Sequence, residues 1–168
     1  MYLMNEDSLG GYSTDGNNVL GTYPIGPCWC GQSFFTGPDG LGRVVSSGGN
    51  SVGIWLLNTS SKPRLNRVGV SPAIGGGQNP GFFTSVSSNG TSAHIVWALS
   101  HPSSPTSPSI SLYAFDPQND MSQIYQAVAG AWPSYNGNSN LVPVVANGQV
   151  FVASNRQLQM FGLASSDQ

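Results

Sequence analysis

Charge is the scarcest property of this sequence. Lys, Arg, Asp and Glu make up 7% of its 168 residues, against roughly a quarter in an average soluble domain. It has a single lysine, Lys62, and a single glutamate, Glu6. Helical bundles and coiled coils lean on those two residue types, so neither is expected. The basic residues Arg43, Lys62, Arg64, Arg67 and Arg156 form no patch beyond a loose group at 62–67. A nucleic-acid surface needs many phosphate-neutralising charges, so no nucleic-acid partner is expected. No apolar run approaches the roughly 18–20 residues of a membrane span, and none is expected. Residues 1–9 carry Glu6 and Asp7 and no basic stretch, unlike a secretory signal. Cysteine is limited to Cys28 and Cys30, and histidine to His94 and His101.

What the chain has in abundance is Gly, Pro and Ser, about a third of all residues. Without a period, that content signals a disordered low-complexity chain; with one, it signals a turn-dense β protein. A period is present. Phe34-Phe35-Thr36 returns as Phe82-Phe83-Thr84, and each is followed by a turn pair, Asp39-Gly40 and Asn89-Gly90. A third pair, Asn147-Gly148, follows the apolar run 141–146. Such pairs reach positive φ cheaply and close tight hairpins. A β-branched segment comes next each time, at 43–46, 95–98 and 150–153, then a further strand at 54–58, 112–116 and 158–162. A more polar strand completes two of the units, at 64–70 and 122–128. The best helical candidate, 121–130, lacks a 3.6-residue stripe and sits where that last strand is expected.

Each unit thus reads as four short antiparallel strands, A to D, in about 50 residues. The expected fold is all-β, a β-propeller of four-stranded antiparallel blades, with about three and a half blades present as a partial or open propeller. A half blade (strands C and D) occupies residues 1–25, whole blades 26–71 and 72–129, and a last blade without strand D 130–163, with a tail at 164–168. A β-sandwich of similar hairpins is the alternative, and the repeated strand order favours the propeller.

The segments Val96-Trp97-Ala98-Leu99-Ser100, Leu112-Tyr113-Ala114-Phe115-Asp116 and residues 144–154 (VVANGQVFVAS) resemble repeats of quinoprotein-like propellers, the pyrroloquinoline-quinone (PQQ) type. Residues 2–11 (YLMNEDSLGG) are similar to a further segment of such propellers. The resemblance covers nearly the whole chain. It implies a ring of seven or eight blades, so the chain is expected to be the C-terminal portion of a longer protein. Its partners would be the remaining blades or, through open edge strands, further copies of itself. The resemblance and the composition together imply an extracytoplasmic location, secreted or periplasmic. Dehydrogenases with such repeats hold PQQ and calcium, and a disulfide between adjacent cysteines covers the cofactor. Trp29 interrupts that pattern here. No catalytic residue can be matched to this chain, so no cofactor is expected within it; the resemblance leaves room for PQQ with calcium in the full-length protein.

In a propeller the D-to-A and B-to-C connections share one face. Candidate ligand-binding residues on it are Cys28, Trp29, Cys30, Gln32, Gln78, Asn79, His101, Trp132, Tyr135, Asn138 and Asn140. Loops on a rigid scaffold commonly carry binding residues, and Trp rings flanked by amides suit a sugar or planar ring. The plainer expectation is that the Trp side chains fill gaps between blades. Cys28-Trp29-Cys30 lacks the spacing of a redox or zinc motif. Two free, partly buried thiols are expected, with a strained disulfide as the alternative. The acids mostly sit at turns and pair with no base, so catalysis finds no constellation and no metal site is expected. The leading expectation is a non-catalytic scaffold or ligand- and partner-binding module. The alternatives are the C-terminal part of a PQQ-dependent oxidoreductase of the alcohol or sugar dehydrogenase type, and a secreted carbohydrate-binding propeller that takes a small molecule or glycan.

Overall fold

The computed structural model describes residues 1–11, 16–75, 80–136 and 140–162. Among them the regular structure is a 3-10 turn at Glu6–Ser8 and four antiparallel sheets, with no α-helix. β1 (Tyr2–Met4) pairs with β2 (Val19–Thr22). The second sheet runs in chain order β3 (Ser33–Thr36), β4 (Gly42–Gly48), β5 (Ser51–Asn58), β6 (Arg64–Val70). The third repeats that order with β7 (Thr84–Asn89), β8 (Ser92–Leu99), β9 (Ser109–Asp116) and β10 (Ser122–Ala131). The fourth contains β11 (Val144–Ala146), β12 (Gln149–Ser154) and β13 (Gln157–Phe161). The all-β expectation therefore holds, and every strand pairs with its chain neighbour.

The turn pairs act as their chemistry dictates. Asn147 and Gly148 both take positive φ, 50° and 73°, and join β11 to β12 in two residues, the geometry that matches strand twist. Gly40 sits at φ 74° after Asp39, whose carboxylate accepts from the Leu41 amide and a forked pair of Arg43 guanidinium bonds at 2.7 and 2.8 Å. That ion pair holds the Asp39 carboxyl well below the ordinary carboxylate range. Phe82 and Phe83 precede β7 instead of opening it. β11 starts at Val144 rather than 141, because Pro143 has no N–H to give a ladder.

The middle strands of the third sheet, β8 and β9, are packed on both faces, and their sequence shows why. Along β8, Val96 and Ala98 enter the core shared with the second sheet, while Trp97 and Leu99 enter the core shared with the fourth. Along β9, Tyr113 and Phe115 take the first side, and Ile110 and Leu112 the other. Alternation between two cores gives continuous apolar runs instead of an apolar–polar rhythm. The second sheet contributes Phe35, Val45, Val52 and Ile54 to the first core; the fourth contributes Val150 and Val152 to the other. Burying each of the large side chains contributes about 1.5–3 kcal/mol. The first strands of successive sheets also touch, β3 with β7 and β7 with β11. A parallel bridge joins Gly31 to Phe83. Ser33 Oγ donates to the Thr84 carbonyl at 2.7 Å, and Ser85 Oγ donates to that of Pro143.

Candidate functional site

Three connections meet at one end of the second and third sheets: the segment after β2, the β4–β5 hairpin and the segment before β7. Their backbones are joined directly. The Gly49 amide donates to the Pro27 carbonyl at 2.8 Å, the Gly81 amide to Gly49 at 2.9 Å, and the Trp29 amide to Pro80 at 2.9 Å. Gly81 takes φ 96°, and a Cβ there would lie 3.0 Å from the Ser47 carbonyl oxygen and 3.2 Å from both Cys28 and Cys30. Glycine thus permits both the conformation and the close approach. Ser47, fully buried, clasps the backbone of Phe82: its hydroxyl donates to the Phe82 carbonyl and accepts from the Phe82 amide at 2.7 Å.

Cys28 and Cys30 are joined in a disulfide, and no described cysteine is free. This corrects the expectation of two thiols. The anchored loop bends enough to bring the Cα atoms to 5.2 Å, inside the 4.4–6.8 Å span that a disulfide bridges. An extended residue between the cysteines would hold them further apart. The Cys28 sulfur rests 3.2 Å from the Ser47 carbonyl oxygen, and the Gln32 amide reaches Cys30 Sγ at 3.9 Å. Trp29, at the tip of the bridged loop, is 60% exposed. It fills no gap between sheets.

His101 lies beneath this loop. It is buried, its ring meets Phe82 edge to face at 5.5 Å, and its Nδ1 has no hydrogen-bond partner. Burial lowers its pKa, with a hydrogen bond to the Gly81 backbone opposing the shift. A neutral, enclosed imidazole of this kind supports the loop. His94 is also buried, its ring tilted by 37° against that of Phe35 at 4.5 Å.

The structure therefore brings Cys28, Trp29, Cys30 and His101 together around Gly81, with Gln32 beside the bridge. Trp132 is placed elsewhere, between the third and fourth sheets. It packs against the core of Leu99, Ile110, Leu112 and Val150, and its amide donates to Pro108 at 2.8 Å. For Trp132 the gap-filling expectation holds. Tyr135 is half-buried and Asn140 exposed in the connection that follows. Gln78, Asn79 and Asn138 lie outside the described residues. Sequence reasoning missed Ser47, because its face of β4 also carries Arg43 and so gives no local sign of burial. Among the described residues no three His, Cys, Asp or Glu side chains converge as a metal site.

Comparison of the chain with protein-family models, curated proteins and solved structures returned no match.

Proposed function

We propose that this chain is a run of β-propeller blades serving as a non-catalytic scaffold, whose loop face around the Cys28–Cys30 bridge binds a ligand or partner. The contact of β3 with β7 and of β7 with β11 carries this reading. Sheets that meet along their first strands, with the Gly31–Phe83 bridge running parallel, suit a fan about one axis better than two flat layers facing each other. A closed ring takes four to eight blades. Further blades, of the same protein or of a second copy, would complete it. The disulfide supports an extracytoplasmic setting, where such bonds persist. Trp29, exposed on a loop with fixed backbone bonds, is the best contact residue for a ligand or partner.

The oxidoreductase alternative draws on the same disulfide, since PQQ dehydrogenases carry one over the cofactor, but theirs joins adjacent cysteines and Trp29 separates the two here. The donor set does not suit that group. PQQ is a polyanion held with calcium, and calcium sites are built on carboxylate oxygens. Of the candidate residues described at the loop face, none is an acid to ligate calcium and none is Arg or Lys to meet the quinone's carboxylates. The scaffold reading is preferred on that chemistry.

Addition of PQQ with calcium to the protein, read by tryptophan fluorescence, tests the choice. The scaffold reading predicts no saturable change. A saturable quench that disappears in Trp29→Ala would overturn it in favour of the oxidoreductase.

A further inference from the structure

The second sheet has two unlike faces. Val45, Val52 and Ile54 point into the core shared with the third sheet. On the other face, cross-strand pairs place Ser46 opposite Gly53, and Gly48 opposite Ser51. Four small residues on neighbouring strands leave a hollow where larger side chains would fill the layer. Its floor is closed on one side by the chain after β2, because the Ile25 carbonyl packs directly onto Gly48. The hollow has a volume of about 200 Å³ and is lined by Ile25, Ser46, Ser51, Trp55, Arg67 and Val70 besides the two glycines.

The polar side chains in it can all donate: Arg67 and the Trp55 indole only donate, and the Ser46 and Ser51 hydroxyls can do so. Ser46 is 2% exposed, and its hydroxyl has no hydrogen-bond partner, an arrangement that costs free energy unless something in the hollow satisfies it. The Trp55 ring is fixed by Tyr23, edge to face at 5.7 Å, and by the Arg67 guanidinium 5.9 Å from its centroid. No acid lines the hollow, and none pairs with Arg67 among the described residues. A guanidinium, an indole N–H and serine hydroxyls around a partly apolar cleft select an acceptor-rich anion. At roughly 30 Å³ per water, the space holds only a handful of heavy atoms. We infer that the hollow between the chain after β2 and the β3–β6 sheet is a binding site for a small carboxylate, with Arg67 and Ser46 as its principal contacts. The carboxylate comes either from a free short-chain acid or from the C-terminus of a peptide. The hollow shares the β4–β5 hairpin and the chain after β2 with the loop face, but its polar lining, Ser46, Trp55 and Arg67, is distinct from the disulfide loop, and the inference does not depend on the propeller reading.

The test is a titration followed by the Trp55 indole resonance in a ¹H–¹⁵N correlation spectrum, assigned with Trp55→Phe. The probes are sodium propionate, propionamide, a tripeptide with a free C-terminus and the same tripeptide amidated, all at constant chloride. Concentrations run into the tens of millimolar, because so few atoms are held weakly. A saturable shift with propionate and none with propionamide is expected. Binding should weaken roughly tenfold to a hundredfold in Arg67→Gln, which removes a charged hydrogen-bond donor, and less in Arg67→Lys. Ser46→Ala should weaken it too, and unchanged spectra elsewhere would show that each variant is folded. Tighter binding of the free-ended peptide than of propionate, absent from its amide, identifies a peptide terminus; tighter binding of propionate identifies a free acid. No saturable shift with any carboxylate, an equal shift with propionamide, or full binding by Arg67→Gln would overturn the inference.

Discussion

At the residue scale, single polar atoms in apolar surroundings hold the loop end of the molecule together. The Ser47 hydroxyl satisfies both backbone groups of Phe82 from within the core, so its loss leaves a buried donor and acceptor unpaired. Ser47→Ala is expected to destabilise the fold by about 1–3 kcal/mol, measured by urea denaturation; an unchanged midpoint would mean that the clasp contributes nothing. His101 makes a pH prediction. Burial lowers its pKa in the folded state from the ordinary 6.5, so in the window below that value the unfolded chain binds the proton and the native chain resists it. Stability must then fall as pH drops from about 6.5 toward the folded-state pKa. A His101→Phe variant that still folds should lose that part of the pH dependence, and thermal melts between neutral and mildly acidic pH would show it. Neither residue's role was legible in advance. A serine and a histidine in a sequence this polar carry no local mark of burial, which depends on contacts across 35 residues for Ser47 and on the approach of Gly81 for His101.

At the element scale, the strands were the most legible part. Asp39-Gly40, Asn89-Gly90 and Asn147-Gly148 join consecutive strands, and the polar strands at 64–70 and 122–128 are present as β6 and within β10. Local chemistry decides those features. Boundaries moved where tertiary pairing or proline intervened, as at β7 and β11. The connection carrying Cys28 and Cys30 was misread for the same reason: its bend is imposed by backbone bonds to Pro80 and Gly49, far away in sequence. The hollow beside Ser46 was missed because small residues on two neighbouring strands share a face only once their register is known. The disulfide prediction is direct. Untreated protein should show no reactive thiol, and reduction should release two. Closing so short a loop removes little chain entropy, so reduction should cost only about 1–2 kcal/mol, seen as a modest fall in Tm. Two reactive thiols before reduction would contradict the bridge.

At the scale of the whole molecule, closely spaced hairpins account for the high Gly, Pro and Ser content, because they demand turn formers. Charge is scarce even where strands are exposed: β10 presents Gln123, Tyr125 and Gln126 instead of ionic side chains. The third sheet is the most enclosed, feeding alternate residues of β8 and β9 into two cores. The proposed fan of blades rests on where the first strands lie. In layers that face each other, the sheets would stand about 10 Å apart, too far for the backbone bridge between Gly31 and Phe83, which lie just ahead of β3 and β7. The most direct measurement is therefore the pattern of nuclear Overhauser contacts between first strands. Close backbone contacts between Gly31 and Phe83, and contacts from Ser85 to Pro143, are predicted in the intact protein. Absence of both sets, in spectra that retain the cross-strand contacts within each sheet, would contradict the shared axis.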